Sequence, residues 1–174
     1  MSSNLPPDTR LLLIDDHQIY LDGLSLTLGS LCEGIQLDHA HNAAQAIQQV
    51  QNNTYDLVLL DLQLPDSSGL ALLQKLRAED AMVPVAILTA SNSPSDLDAA
   101  LQLGAAGFIS KTADGKTLLD AVTQLLYGAQ VVIGDENHPL DRRSSARDVG
   151  ITPRPVSYTH LRAHETPEHL VCRL

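Results

Sequence analysis

The sequence predicts an α/β domain: a doubly wound, five-stranded parallel sheet with helices on both faces. Three observations carry this. Short aliphatic runs alternate with stretches of helical periodicity, five times over residues 10–133. No hairpin signal joins consecutive runs, so the strands run parallel with right-handed crossovers. Two of the apolar runs also end in aspartates, Asp15-Asp16 and Asp61, at the carboxyl ends of strands, where open α/β sheets place their chemistry.

Leu11–Ile14 is the first strand, an uninterrupted aliphatic run of the kind buried on both faces. Leu21, Leu24, Leu28 and Leu31 follow at spacings of three and four and mark a helix with one apolar face. Ile35–Ala40 is the second strand, more polar and placed at an edge. Asn42 caps a helix carrying Ala43, Ala46, Ile47 and Val50. Leu57–Leu60 is the third strand, and its helix carries Leu70, Leu73 and Leu76. Val83–Leu88 is the fourth, with Pro84 near its start, where proline is tolerated. Ser93-Pro94 opens a helix that ends near Gly104. Gly107-Phe108-Ile109 is the fifth strand, and Leu118, Val122, Leu125 and Leu126 mark the last helix, ending at Gly128.

Composition narrows the class. The chain has 174 residues with 44% hydrophobic content, one Phe and no Trp, so the core is aliphatic. No apolar run approaches the roughly 20 residues of a membrane helix, and the start, Met1 to Pro7, lacks the basic and apolar regions of a secretory signal. Cys32 and Cys172 have neither metal nor disulfide spacing and read as free thiols of a cytoplasmic protein. Residues 1–133 hold 15 acids and 5 bases, and residues 134–174 hold 6 of each. So acidic a domain does not bind nucleic acid by itself.

The strand ends assemble a constellation: Asp15 and Asp16 from the first, Asp61 from the third, Thr89 from the fourth, Lys111 just past the fifth. Three crowded carboxylates repel unless a cation neutralises them. Hard oxygen donors with open positions suit Mg²⁺, which binds through one or two carboxylates plus a substrate phosphate. A Lys and a hydroxyl across the same rim complete a site for a tetrahedral dianion, as in phosphoryl transfer, with an aspartate as nucleophile.

Asp15-Asp16, Asp61-Leu62-Gln63-Leu64-Pro65 through Gly69, Thr89-Ala90, and Phe108 three residues before Lys111 together resemble the receiver domain of two-component response regulators. The resemblance implies the flavodoxin-like (CheY-like) strand order 2-1-3-4-5. It implies that Asp61 accepts a phosphoryl group from a sensor histidine kinase. Asp16, Asp61 and the backbone carbonyl of Gln63 would ligate Mg²⁺, with Asp15 acting largely through water. Lys111 would pair with the phosphoryl oxygens, Thr89 would hydrogen-bond one of them, and Phe108 would rotate inward as the switch. The domain would assist its own phosphorylation and dephosphorylation without being an enzyme. His17, beside the acidic pair, is read as packing or capping near the site. Many receivers have proline after the Lys, in a cis peptide; this chain has Thr112.

Asp15-Asp16-His17 leading to Gly23-Leu24, Gly104 through Lys111, and Leu125-Leu126-Tyr127-Gly128 resemble the LuxR-type (NarL/FixJ) group, in which a linker joins the receiver to a helix-turn-helix domain. That implies a phosphorylation-dependent homodimer and control of transcription, with DNA bound only through the C-terminal domain. The expected layout is an N-terminal tail (1–9), receiver (10–133), linker (134–150) and the opening of a helix-turn-helix domain at Ile151-Thr152-Pro153-Arg154. Only 20 residues follow Arg154, against roughly 60 for such a module, and so short a piece closes no core. Residues 155–174 resemble translated sequencing-adaptor read-through and are read as a non-native or disordered tail. His160 and His164, although spaced i, i+4, are given no metal role.

Other classes lack their signatures. A flavin or nucleotide binder needs a Ser/Thr/Gly-rich loop where Asp15-Asp16-His17 stands. A haloacid-dehalogenase-type phosphatase needs an acid where Gln63 stands, and a dinucleotide dehydrogenase needs a glycine-rich turn after the first strand. The alternative within the receiver class is a stand-alone receiver acting through protein contacts or phosphate relay.

Overall fold

A computed structural model describes residues 6, 8–32, 34–80, 82–91 and 93–134. The elements run β1 (Arg10–Ile14), α1 (Gln18–Leu31), β2 (Gln36–Ala40), α2 (Ala43–Asn52), β3 (Leu57–Leu60), α3 (Gly69–Glu79), β4 (Val85–Thr89), α4 (Pro94–Gln102), β5 (Gly107–Ser110), α5 (Gly115–Leu126) and β6 (Val131–Ile133). The sheet is parallel throughout, in the order β2-β1-β3-β4-β5-β6.

The expected five strands and their order are present, and the sheet gains a sixth. Val131–Ile133 pairs with β5, placing Val132 beside Phe108 and Ile133 beside Ile109. Three residues just after a helix-ending glycine carry too short a pattern to announce a strand; the open edge of β5 makes them one. β4 starts at Val85 rather than Val83, because Pro84 has no N–H to donate to the ladder. Its carbonyl still accepts from the Val58 amide at 2.9 Å. β2 lies at an edge, as its mixed polarity implies.

Strand alternation divides the core into two layers. Leu12, Ile14, Val58, Leu60, Val85, Ile87 and Phe108 face α2, α3 and α4. Leu11, Leu13, Leu57, Leu59, Ala86, Leu88 and Ile109 face α1 and α5. Each fully buried aliphatic side chain contributes about 1.5–3 kcal/mol. The helical faces largely match the pattern, with two departures. Leu31, expected on the buried face of α1, is 41% exposed in its last turn, and Leu72 joins Leu73 and Leu76 as fully buried.

Caps secure the loops that carry the site. Asn42 accepts the Gln45 N–H, and Asp114 accepts the Thr117 N–H and hydroxyl. Asp66 reaches from the β3–α3 loop to accept the Ala43 and Ala44 amides at the start of α2. The Ala43 amide is the main cause that holds the Asp66 carboxyl below its ordinary value. The described peptide bonds are all trans, Lys111–Thr112 included. Residues 135–150 of the expected linker, residues 151–154, the tail with His160, His164 and Cys172, and most of the N-terminal segment lie outside the described residues.

Gly69 shows how closely the backbone approaches itself beneath the site. A Cβ there would stand 2.5 Å from both the Asp61 carbonyl oxygen and Leu62 Cα. Backbone cannot yield as a side chain tip does, so Gly69→Ala is expected to lower stability by about 1–3 kcal/mol. Urea unfolding of the two proteins measures this; equal midpoints would contradict it.

Candidate functional site

The strand ends converge on one rim. Asp61 follows β3, and its amide donates to the Ile14 carbonyl at 2.9 Å, so the first residue beyond β3 is hydrogen-bonded to the end of β1. Asp15 follows β1, and its amide donates to the Ala40 carbonyl at 3.0 Å. Both carboxylates are sequestered, at 3% exposure for Asp15 and 2% for Asp61. Lys111 crosses from the end of β5 to meet them. Its Nζ lies 2.7 Å from Asp61 Oδ2 and forms an ion pair with Asp15 Oδ2. Burying two carboxylates without a cation is costly, and this ammonium is their cationic partner in the structure.

The remaining contacts of the carboxylates are with backbone amides and His17. Asp61 Oδ1 accepts the Gln63 amide at a long 3.3 Å. Asp15 Oδ1 accepts the His17 amide at 2.9 Å. Asp15 Oδ2 is buried and accepts no hydrogen bond, having only its ion pair with Lys111. Asp16 is more exposed, with its Oδ1 2.9 Å from His17 Nδ1. One ligand atom from each of Asp15, Asp16, His17 and Asp61 falls within 4.8 Å of the others. Three carboxylates beside one lysine ammonium leave hard oxygen donors in excess, which fit a divalent cation such as Mg²⁺.

A cavity of about 680 Å³ opens from this cluster between α1 and the loop before α5, lined by Asp61, Lys111, Gln63, Tyr20, Ala90 and Leu24 among others. Tyr20 is the site residue that sequence reasoning missed. Lys111 Nζ lies 4.7 Å from its ring centroid, a cation–π arrangement. A tyrosine four residues beyond Asp16, on a helix whose other large apolar residues are aliphatic, was the available signal. Burial, then the charges of Asp15 and Asp61, push its phenol up to about 12.

Thr89 and Phe108 stand differently. Thr89 is fully buried, and its hydroxyl accepts the Ser91 amide at 3.2 Å. Ser91 in turn donates to Asp96 Oδ2 at 2.8 Å in the first turn of α4. Phe108 is already fully buried in the α2–α4 layer. Aliphatic side chains surround it there. His17 departs from expectation. It occupies the position before α1 but makes no side-chain cap, and its side chain is 63% exposed, so it neither caps nor packs. A hydrogen bond to Asp15, then the charges of Asp16 and Asp15, raise its imidazole above the ordinary value.

A five-unit α/β domain with buried aspartates, a lysine and a buried threonine on one rim has the groups of a receiver-type module rather than the glycine-rich turn of a nucleotide binder. The response regulator receiver domain family matches residues 11–123, and the chain belongs to that family. It is similar to the nitrate/nitrite response regulator protein NarL of Escherichia coli K12, with 31% identity covering 98% of this chain and 82% of that one. It is equally similar to the transcriptional activator protein ExaE of Pseudomonas putida, with 31% identity covering 94% and 79%. Among solved structures, a LuxR-family two-component response regulator from Aurantimonas sp. SI85-9A1 superposes with a TM-score of 0.66 at 28% identity, covering 70% of this chain and 87% of that one. The chain is thus a response regulator receiver of two-component systems, homologous to transcriptional regulators.

Tyr20, and Tyr55 beside Asp38, both have phenols pushed from 10.0 to about 12. Between those values the unfolded chain loses phenolic protons that the folded one retains, so stability is expected to fall as pH rises from 10 to 12. Chemical denaturation across that range checks the slope, which Tyr20→Phe should reduce; an unchanged slope in that variant would contradict the assignment.

Proposed function

We propose that Asp61 is the phosphoacceptor, receiving a phosphoryl group from a phosphohistidine of a sensor histidine kinase. One observation carries the reading: a buried aspartate at the carboxyl end of the central strand, facing a cavity, with Lys111 Nζ 2.7 Å from one oxygen and two further aspartates beside it. An Asp61 oxygen attacks phosphorus, the bond from phosphorus to the imidazole nitrogen breaks, and the histidine leaves with that electron pair. The product is an acyl phosphate. Lys111 neutralises charge on the phosphoryl oxygens. Asp16, Asp61 and the carbonyl of Gln63 would hold Mg²⁺, with Asp15 bearing on it largely through water. The cation would offset charge on the transferring group. Attack by water on the acyl phosphate releases phosphate and restores Asp61, so the domain assists both its own loading and its own unloading.

The response runs through Thr89. To reach a phosphoryl oxygen its hydroxyl gives up the Ser91 amide, which frees the Ser91–Asp96 link at the start of α4. The buried ring of Phe108 corresponds to the packed side of that switch, stabilised by phosphorylation. The names of the relatives, an activator and a nitrate/nitrite regulator, support a role in transcription, with phosphorylation promoting a homodimer and DNA bound through a C-terminal domain. The acidity of the receiver part disfavours direct contact with DNA. Among the described residues no helix is long and apolar enough to cross a membrane, in keeping with a cytoplasmic placement.

Incubation with acetyl phosphate and Mg²⁺ followed by intact-mass measurement is expected to show one added phosphoryl group, absent in Asp61→Asn. No added mass, or mass that persists in the variant, would overturn the assignment. Thr89→Ala is expected to keep the added mass but lose the change in amide hydrogen exchange that phosphorylation brings to residues 90–95 and α4. An identical exchange response in both proteins would remove Thr89 from the switch.

A further inference from the structure

Tyr20 is the half-buried aromatic side chain at the rim to which the proposed phosphoryl transfer gives no task. It lies in the first turn of α1, where its amide donates to the His17 carbonyl at 3.0 Å, and Leu21 and Leu24 beside it are buried against the sheet. The helix therefore fixes where the ring stands. The ring meets the Lys111 ammonium, with Nζ 4.7 Å from its centroid. It lines the large cavity together with Lys111 and Asp61, and also a small space beside Asp15 and Asp61, so it stands where the open cavity meets the buried carboxylates. Lys111 Nζ thus has three partners here: Asp61 Oδ2 at 2.7 Å, Asp15 Oδ2 and this ring.

We propose that Tyr20 is a positioning residue for Lys111: its ring keeps the ammonium beside Asp61 while negative charge moves from the carboxylate to the phosphoryl group, and this speeds the loading of Asp61. This rests on the reading of Asp61 as phosphoacceptor and adds to it a residue that acts through Lys111. A lysine ammonium on its flexible four-carbon stem is held only by its contacts. Loading of Asp61 moves charge away from the oxygen that Lys111 now pairs with, whereas the ring is the partner that the reaction leaves unaltered. The attraction of a cation to an aromatic face grows as water is excluded, and the Lys111 side chain is only 12% exposed. The phenol, pushed up to about 12, stays neutral near pH 7, so the ring offers its face without adding a third anion to the two carboxylates. An aliphatic side chain of similar size would fill the same space without that attraction.

The test follows the full chain by intact mass over time with Mg²⁺ and acetyl phosphate. An Asp61 oxygen attacks phosphorus, the bond from phosphorus to the acetyl oxygen breaks, and acetate leaves with that electron pair. Tyr20→Leu is expected to slow loading about tenfold, the scale of a largely desolvated cation–π contact. Tyr20→Phe, which keeps the ring, should recover most of that loss. Phenylalanines with increasing ring fluorination are then placed at position 20; they drain the ring face of electron density with little change of shape, and the rate should fall stepwise along the series. Nuclear magnetic resonance should show the Lys111 Cε protons shifted upfield by the ring in Tyr20→Phe and not in Tyr20→Leu. A rate that stays flat across the fluorinated series would show that the ring only fills space. Loading of Tyr20→Leu at the original rate, or Lys111 protons that resonate alike in both variants, would show that the ring does not hold the ammonium. Any of these overturns the proposal while leaving Asp61 as the acceptor. Added mass that persists in Asp61→Asn would overturn the acceptor reading itself, and the proposal with it.

Discussion

The ion pairs that Lys111 makes with Asp61 and Asp15 are the interaction on which the rest of the structure depends. Two carboxylates with almost no exposure sit at the ends of central strands, where desolvation penalises charge. The fold accepts them because an ammonium reaches across from β5 and because the rim has room for a further cation. The backbone ladders fix the separation of β1, β3 and β5, and the ion pairs hold the side chains that line one end of the cavity beside Tyr20. The same charges that a stable core would avoid are the ones a phosphoryl acceptor requires.

The hydrogen bonds around the rim differ in tightness, and the difference has consequences. Capping at Asn42, Asp66 and Asp114 holds the loops around the aspartates in place. The Asp61–Gln63 and Thr89–Ser91 bonds are longer, at 3.3 and 3.2 Å. The capped loops are therefore the firmer part of the rim, and the longer bonds lie at Asp61 and Thr89 themselves. Thr89 joins the two, since it is buried against the site yet linked through Ser91 to the first turn of α4.

Much of this was legible in residues alone. Leu11–Ile14 and Leu57–Leu60 are so uniformly aliphatic that burial on both faces follows, and the aspartates after them then fall on one rim. Asn42 and Pro94 mark helix starts through local chemistry that needs no tertiary partner. The boundaries of β4 and β5 shifted by one or two residues because ladder pairing, not side-chain type, decides where a strand stops. Val131–Ile133 was not legible as a strand, since its pairing energy comes from the free edge of β5. Tyr20 was missed because a helical period places it on a face without saying what stands opposite.

The sequence by itself determined the parallel α/β topology, the aliphatic two-layer core and the set of chemical groups at the strand ends. These follow from periodicity, backbone propensity and the order of residues, which are local properties. Only the tertiary structure decided that Lys111 bonds Asp61 and Asp15 together, that Phe108 is fully buried, that the ring of His17 turns to the aspartates instead of capping its helix, and that a sixth strand extends the sheet. Those outcomes depend on distances between groups far apart in the chain. Such distances are set when burial, charge pairing and hydrogen bonding are satisfied together, and no single segment carries them.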